Sequence, residues 1–340
     1  MTRPAKLSDV ARLAGVSAAT VSRALNAPDL VRSDTRQGIL DAINRLGYVP
    51  HGSARALASR RTRTVGLVVP TIDHAIFSRF AQSMQTTLAE AGYQLLIASH
   101  EYSAALELNG ARALIERGVD ALVLVGLAQG KALSGLLSKT TIPILRTWTL
   151  DRTGQFLSVG FDNVEAGRRV TRHLLDLGHR CFGVISGFLN YNDRARGRVA
   201  GIREALRGAR LELPAAYVVE QPFTYAGGRS GLRALLGLSP RPTAVICGND
   251  LLGIGALLEC QHIGLPVPDA ISITGFDNQE LTSHIPPGLT TLNLPLADLG
   301  HRATEVLLGV LSGEPFTESV EIPVELVIRG STGPRSDPKV

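Results

Sequence analysis

The chain has 340 residues, 44% of them apolar and 19% charged, which is enough to bury a sizeable core and too apolar for a disordered polymer. Its basic excess sits at one end: residues 1–63 hold eleven Lys or Arg against four Asp or Glu, a net of +7, while residues 64–340 hold twenty-four against twenty-six, a net of −2. Clustered cations on a near-neutral body point to a polyanion-binding head, and without an apolar run of about 18 residues a membrane-spanning helix is excluded.

The first predicted elements lie in VARLAGVSAATVSRAL, residues 10–25. Apolar positions Val10, Ala11, Ala14, Val16, Val21 and Ala24 give two short helices a shared core if the chain turns sharply at Gly15, which tolerates positive φ. Ser17 caps the second helix and Ala11 is small enough for a close crossing. Ala18, Ala19, Thr20, Ser22 and Arg23 are then left on the outer face, the layout of a helix-turn-helix recognition helix rather than of an ordinary helical hairpin. Ser33 is expected to cap a third helix, with Ile39, Leu40, Ile43 and Leu46 closing the head and Gly47 ending it. Residues 50–63, PHGSARALASRRTR, carry one large apolar group, Leu57, and read as a hinge helix that forms on a partner, or as a plain linker.

From Thr64 the pattern alternates. The β-rich runs TVGLVVP, YQLLIAS, DALVLVG, IPILRTW and LSVGFD are spaced by helical segments, and CFGVIS, AYVVE, TAVICGN and AISITGFD form a second series. This predicts two α/β lobes built on parallel sheets. GFDN closes a run in each series, at 160–163 and 275–278, so Asp162 and Asp277 either face an interlobe crevice or cap the helices that follow. GLAQGKA, residues 126–132, follows a strand as a phosphate loop would, but it is one residue short between its glycines and ends in alanine where magnesium needs a hydroxyl. The histidines are scattered and HExxH, GxSxG and CxxC are absent, so neither an enzyme nor a cofactor site is expected. Cys181, Cys247 and Cys260 read as reduced core thiols, and MTRPAKLSDV lacks the apolar stretch of a secretory signal, so a cytoplasmic protein is expected.

With DVARLAGVSAATVSRALN, TRQGILDAINRLGYVP, VGFDN, CGNDLLGIGALLECQHIGLPVPD, SITGFDN and LTTLNLP, the chain resembles the lac repressor/galactose repressor family of bacterial transcription regulators over nearly its whole length. The segments ECQHIGLPVPD and VGFDNVEA are most similar to gluconate-operon repressors. The resemblance implies a small all-α helix-turn-helix head at 1–50, a hinge helix at 51–63, and a two-lobed periplasmic-binding-protein-like α/β core at 64–332. Its N-lobe would span about 64–163 and 292–322, its C-lobe about 164–291 and 323–332, and 333–340 would be a tail.

The partners so implied are a pseudo-palindromic double-stranded DNA operator, a second copy in a homodimer, and a small effector, a sugar or sugar acid, with no membrane. Carried over by position, Ser17, Ala18, Ala19, Thr20, Ser22, Arg23 and Asn26 are DNA contacts, Thr35 and Tyr48 phosphate contacts, and Leu57 the minor-groove wedge. The departures are Ala18 and Ala19, whose methyls offer no hydrogen bond to a base, Lys6 in place of a threonine cap, and Gly52 and Ser53 in the hinge. The effector cleft would be lined by Phe77, Trp148, Asp162, Arg194, Arg198, Phe223, Asn249 and Asp277. For Arg194 a solvated place at a helix start, and for the aromatics plain core packing, remain open. A periplasmic-type sugar-binding protein without a DNA role fits the core alone and is opposed by the basic head.

The Arg23 guanidinium can make a bidentate contact to guanine worth about 1–3 kcal/mol of discrimination. Arg23→Ala is expected to flatten base preference at one operator position in a competition binding assay; a uniform loss across sequences would make it a phosphate contact.

Overall fold

The computed structural model describes residues 3, 5–26, 28–49, 61–315 and 318–335. Leu57 and most of the hinge lie outside the described residues, as does the end of the tail. The chain divides into two compact units, Met1–Thr64 and Val65–Val340.

In the head, helices α1 (Leu7–Leu13), α2 (Ala18–Asn26) and α3 (Ser33–Leu46) are joined through a 3₁₀ turn at Pro28–Leu30. Gly15 adopts φ +67°, and the Val16 N–H bonds the Ala11 carbonyl at 3.0 Å, the closure that a left-handed residue after a helix permits. Gly47, at φ +58°, ends α3 the same way. Val10, Ala11, Val21, Ala24, Ile39 and Ala42 form the core. Two expectations change here. Leu40 is 37% exposed, because the inward stripe of α3 runs Ile39, Ala42, Ile43, Leu46 at helical spacing. Ser33 is the first helical residue rather than the cap, a place held by Arg32 without a capping bond. Tyr48, the expected phosphate contact, is 7% exposed and packs into this core.

The second unit contains two six-stranded sheets. The first has the order β11-β5-β4-β3-β1-β2, from Val320–Glu321, Leu157–Gly160, Ile144–Thr147, Ala121–Val125, Thr64–Val69 and Gln94–Ser99. The second has the order β12-β10-β9-β8-β6-β7, from Glu325–Val327, Thr290–Asn293, Ser272–Asp277, Ala244–Cys247, Phe182–Ser186 and Val218–Glu220. In the second sheet β7, β6, β8, β9 and β10 pair in parallel, and β12 alone pairs antiparallel with β10. Strands β3, β6, β8 and β9 are buried along their full length, as parallel strands covered on both faces must be. The chain passes between the sheets after β5, after β10 and after β11. Cys247 and Cys260 are buried free thiols and Cys181 is a half-buried one. Among the described residues no helix is long and apolar enough to cross a membrane.

Among the described residues, eight helices and one short turn of helix connect the strands: α4 (Ala75–Glu90), α5 (Ala104–Glu116), α6 (Lys131–Leu137), α7 (Asn163–Asp176), α8 (Asp193–Gly208), α9 (Tyr225–Leu236), α10 (Asp250–His262), α12 (Leu296–Leu311), and the four-residue α11 (Leu281–His284). Glycines let helices α9 and α10 close to backbone contact. In α9 and α10, a Cβ on Gly228 would strike the Leu252 carbonyl and one on Gly255 the Tyr225 carbonyl. The same pair is tied by the buried Glu259, which accepts from Arg229 at 2.8 Å and Arg233 at 2.6 Å. The Arg233 hydrogen bond leads in pulling its carboxyl down to about 2. Gly255→Ala, an overpacking change with no room to relax, should cost about 1–3 kcal/mol, read as a lower urea midpoint at unchanged slope.

Candidate functional site: a recognition helix and an interlobe cavity

The head presents one side of α2. Ser17 Oγ accepts the Thr20 N–H at 3.1 Å and shares a 2.8 Å hydrogen bond with the Thr20 hydroxyl, so both residues are first of all the helix cap. Ala18, Ala19 and Arg23 are exposed, Thr20 and Ser22 half-buried, and Val21 and Ala24 point inward. Asn26 ends the helix, and Thr35 lies half-exposed in the first turn of α3. At α1 the missing threonine cap is replaced from within the helix: the Lys6 N–H donates to Asp9 Oδ2 at 2.9 Å, and Arg12 pairs with Asp9 at 2.6 Å. The Lys6 bond lowers the Asp9 pKa.

In the core, seven residues singled out in the sequence line one cavity: Phe77, Trp148, Arg194, Arg198, Phe223, Asn249 and Asp277. They come from the start of α4, from loops beyond β4, β7 and β8, from the first turns of α8, and from the end of β9. These are the carboxyl ends of parallel strands, where α/β folds bind ligands. His74, Tyr102 and Asn192, which no motif marked, join the wall, with Ile76 and Ala195 beside them. Asp162 is elsewhere. Its carboxylate caps α7, accepting from Val164 N–H at 2.8 Å and Glu165 N–H at 3.0 Å, and pairs with Arg152 at 3.1 Å. The two GFDN sequences therefore diverge: Asp162 is spent on its helix, whereas Asp277 reaches the cavity.

Trp148 is 1% exposed and holds φ +69°, costly for a bulky residue. Its ring lies 4.9 Å from Phe77, 5.8 Å from Phe80 and 6.4 Å from Phe161, and its Nε1 has no hydrogen-bond partner. The Tyr102 and Phe223 rings meet at 5.8 Å on the other side. Arg198 lies 3.5 Å over the Phe276 ring, donates to Asn163 Oδ1 at 3.1 Å and to the Gly248 carbonyl at 2.5 Å, and burial pushes its pKa down to about 10. Burial also lowers His100, behind Tyr102, to about 4, leaving a neutral imidazole at pH 7.

Arg194 has a second task besides lining the cavity. From the C-lobe helix α8 it donates to the Val125 carbonyl of the N-lobe at 3.3 Å and to Asp193 Oδ1 at 3.1 Å, while Asp193 Oδ2 accepts the Leu127 N–H at 2.9 Å. Gly126, between those backbone groups at φ +83°, could carry no Cβ without striking both side chains. The glycine that opens GLAQGKA thus makes room for an interlobe clasp. Among the described residues no group of three or more His, Cys, Asp or Glu is placed to hold a metal.

A helix-turn-helix head on a two-lobed core with a cavity between parallel sheets defines a ligand-responsive DNA-binding regulator. Residues 6–51 match the family described as bacterial regulatory proteins, lacI family, and residues 171–332 match the periplasmic binding protein-like domain. Catabolite control protein A of Priestia megaterium is 31% identical over 95% of this chain and 98% of its own. Of solved structures, the transcription regulator GntR from Chromobacterium violaceum is 32% identical over 79% of this chain and 99% of its own, with a TM-score of 0.74. The lac repressor dimer bound to operator and the anti-inducer ONPF is 26% identical over 97% of this chain and 100% of its own, with a TM-score of 0.86. The chain belongs to the LacI family of transcription regulators.

Hydrogen bonds to a charged acceptor contribute about 1.5–3 kcal/mol. Asp193→Ala should therefore speed amide exchange at Leu127 by about tenfold or more in hydrogen–deuterium exchange, and unchanged protection would show that the clasp does not hold in solution.

Proposed function

We propose that the chain is a homodimeric, cytoplasmic repressor whose grip on a pseudo-palindromic operator is controlled by a sugar acid such as gluconate, bound in the interlobe cavity. Two α2 helices one helical turn apart would read the half-sites, with Leu57 of each hinge between them. The observation that carries the effector reading is the meeting of Arg194 and Arg198 with Asp277, Asn249 and the rings of Phe77, Tyr102, Trp148 and Phe223 in one cavity. Arginine forks suit a carboxylate, amide and carboxyl groups suit hydroxyls, and the ring faces suit a carbon chain. The protein acts by binding, not by catalysis, in line with its regulator relatives. The rival reading, a sugar-binding protein without a DNA role, has no use for the family head at 6–51.

The chain's single tryptophan is Trp148, a built-in reporter of this cavity. D-gluconate should change its emission and raise the melting temperature, by about 2.7 kcal/mol of stabilisation at a hundredfold excess over Kd. Arg198→Ala should abolish the response. A response to neutral sugars or purines alone would sink the acid reading, and an operator band-shift with the same ligands gives the sign of control.

A further inference from the structure

The turn that ends β9 needs something to hold it. Asp277 at φ +117° and Asn278 at φ +54° are consecutive non-glycine residues in the left-handed region. Asp250, fully buried at the start of α10 and absent from the ligand set above, supplies the hold. Its Oδ2 accepts the Gln279 N–H at 2.7 Å and its Oδ1 the Thr291 hydroxyl at 2.5 Å, and it presses on Gly275, where a Cβ would strike it. The chain from 275 to 279 is folded around this carboxylate, and the fold turns Asp277 into the cavity.

Asp277 itself is 3% exposed, and its Oδ2 has no hydrogen-bond partner. Arg198 is a cation whose charge pulls the Asp277 pKa down, but no guanidinium is paired with the Asp277 carboxyl by a hydrogen bond among the described residues. Arg198 is engaged with Asn163 and Gly248, and Arg194 with Val125 and Asp193. Arg329, beyond β12, donates to Asn278 Oδ1 at 2.7 Å, the Leu289 carbonyl at 2.7 Å and Thr282 at 3.2 Å. Tyr102 is a neutral phenol, pushed up to about 12 by burial. Of the other groups that bear on it, the Gln279 side chain is a donor and Asp250 is a second carboxyl. Two carboxyls in one dry place do not both ionise at neutral pH.

We propose that the pair holds one proton, that the proton sits on Asp277, and that Asp250 is the ionised positioning residue, so that Asp277 meets its ligand as a hydrogen-bond donor. The donors decide the assignment: an N–H and an O–H point at Asp250, whose carboxyl burial raises to about 7, whereas the Gln279 side chain is the donor that bears on Asp277 and none reaches its Oδ2. Burial, reinforced by Asp250, raises Asp277 well above the usual carboxylate range. With Trp148 Nε1 also unpartnered, the cavity offers donors to an acceptor-rich ligand. Only this last step rests on reading the cavity as the effector site. A raised folded pKa contributes stability below the unfolded value, lost as pH rises through the folded one, and ligand affinity through a protonated Asp277 is lost over the same interval.

The test uses the full-length protein with its aspartate carboxyls labelled with carbon-13, which separates them in the infrared from Glu107, itself raised to about 7 by burial. At pH 7 the wild type should show a protonated-aspartate carbonyl band. D277N should lack it, and D250N should retain it with a midpoint at lower pH, because burial of Asp277 persists. Absence of the band, its survival in D277N, or its loss in D250N would overturn the assignment. Should D250N not fold, thermal unfolding decides. The wild-type midpoint should fall relative to D277N as pH rises above about 4, until Asp277 ionises, and parallel profiles would overturn the proposal. D-gluconate affinity should drop about tenfold per pH unit above the band's midpoint. Gluconate that fails to bind at any pH while the band behaves as expected would overturn the sugar-acid reading alone.

Discussion

Parallel strands end together, and in this core two sets of them end at one cleft. That constraint arranges nearly everything else. The chain crosses between the sheets after β5, β10 and β11, so the two lobes are tethered at three strands rather than one. Side chains placed just beyond β4, β8 and β9 are brought to a common cavity without being near one another in sequence. Antiparallel hairpins would have scattered the same residues to both ends of each sheet.

The cleft gathers polar groups that a plain core would not tolerate. Trp148 Nε1, Asp277 Oδ2 and the His100 Nδ1 behind them are buried without partners, and Trp148 and Asp277 have left-handed backbones as well. Strain and unsatisfied polar atoms in one place mark a site shaped for something that completes it. The rest of the unit supplies the rigidity, through glycine-mediated helix contacts and the doubly bonded Glu259. The interlobe clasp joins site and scaffold, since Arg194 touches both the cavity and the opposite lobe. A ligand carboxylate competing for that arginine would alter the contact between lobes, which is a physical route from binding to regulation.

Much of this was legible beforehand. Gly15, Ser17 and Gly47 act as their residue types require, because turns and caps are local chemistry. The misreadings have physical causes too. Leu40 was assigned inward by hydrophobicity, but the stripe of α3 passes through the smaller Ala42. Asp162 and Asp277 share the sequence GFDN, and nothing in those four letters separates a cap from a cavity wall. The difference lies in what surrounds each: a helix N-terminus and Arg152 for one, a strained turn wrapped around Asp250 for the other.

Local sequence patterns are enough to specify the helix-turn-helix, the alternating strands and helices of two lobes, and a set of residue types fit for a polar ligand. Those follow from periodicity, capping and charge, which act over a few residues at a time. The tertiary structure alone decided that Tyr102, His74 and Asn192 join the cavity, that Gly126 yields space to Asp193 and Arg194, and that Asp250 stands behind Asp277. Each of these depends on contacts between segments tens of residues apart, and such contacts are set by how the sheets close on one another, for which no local pattern carries a signal.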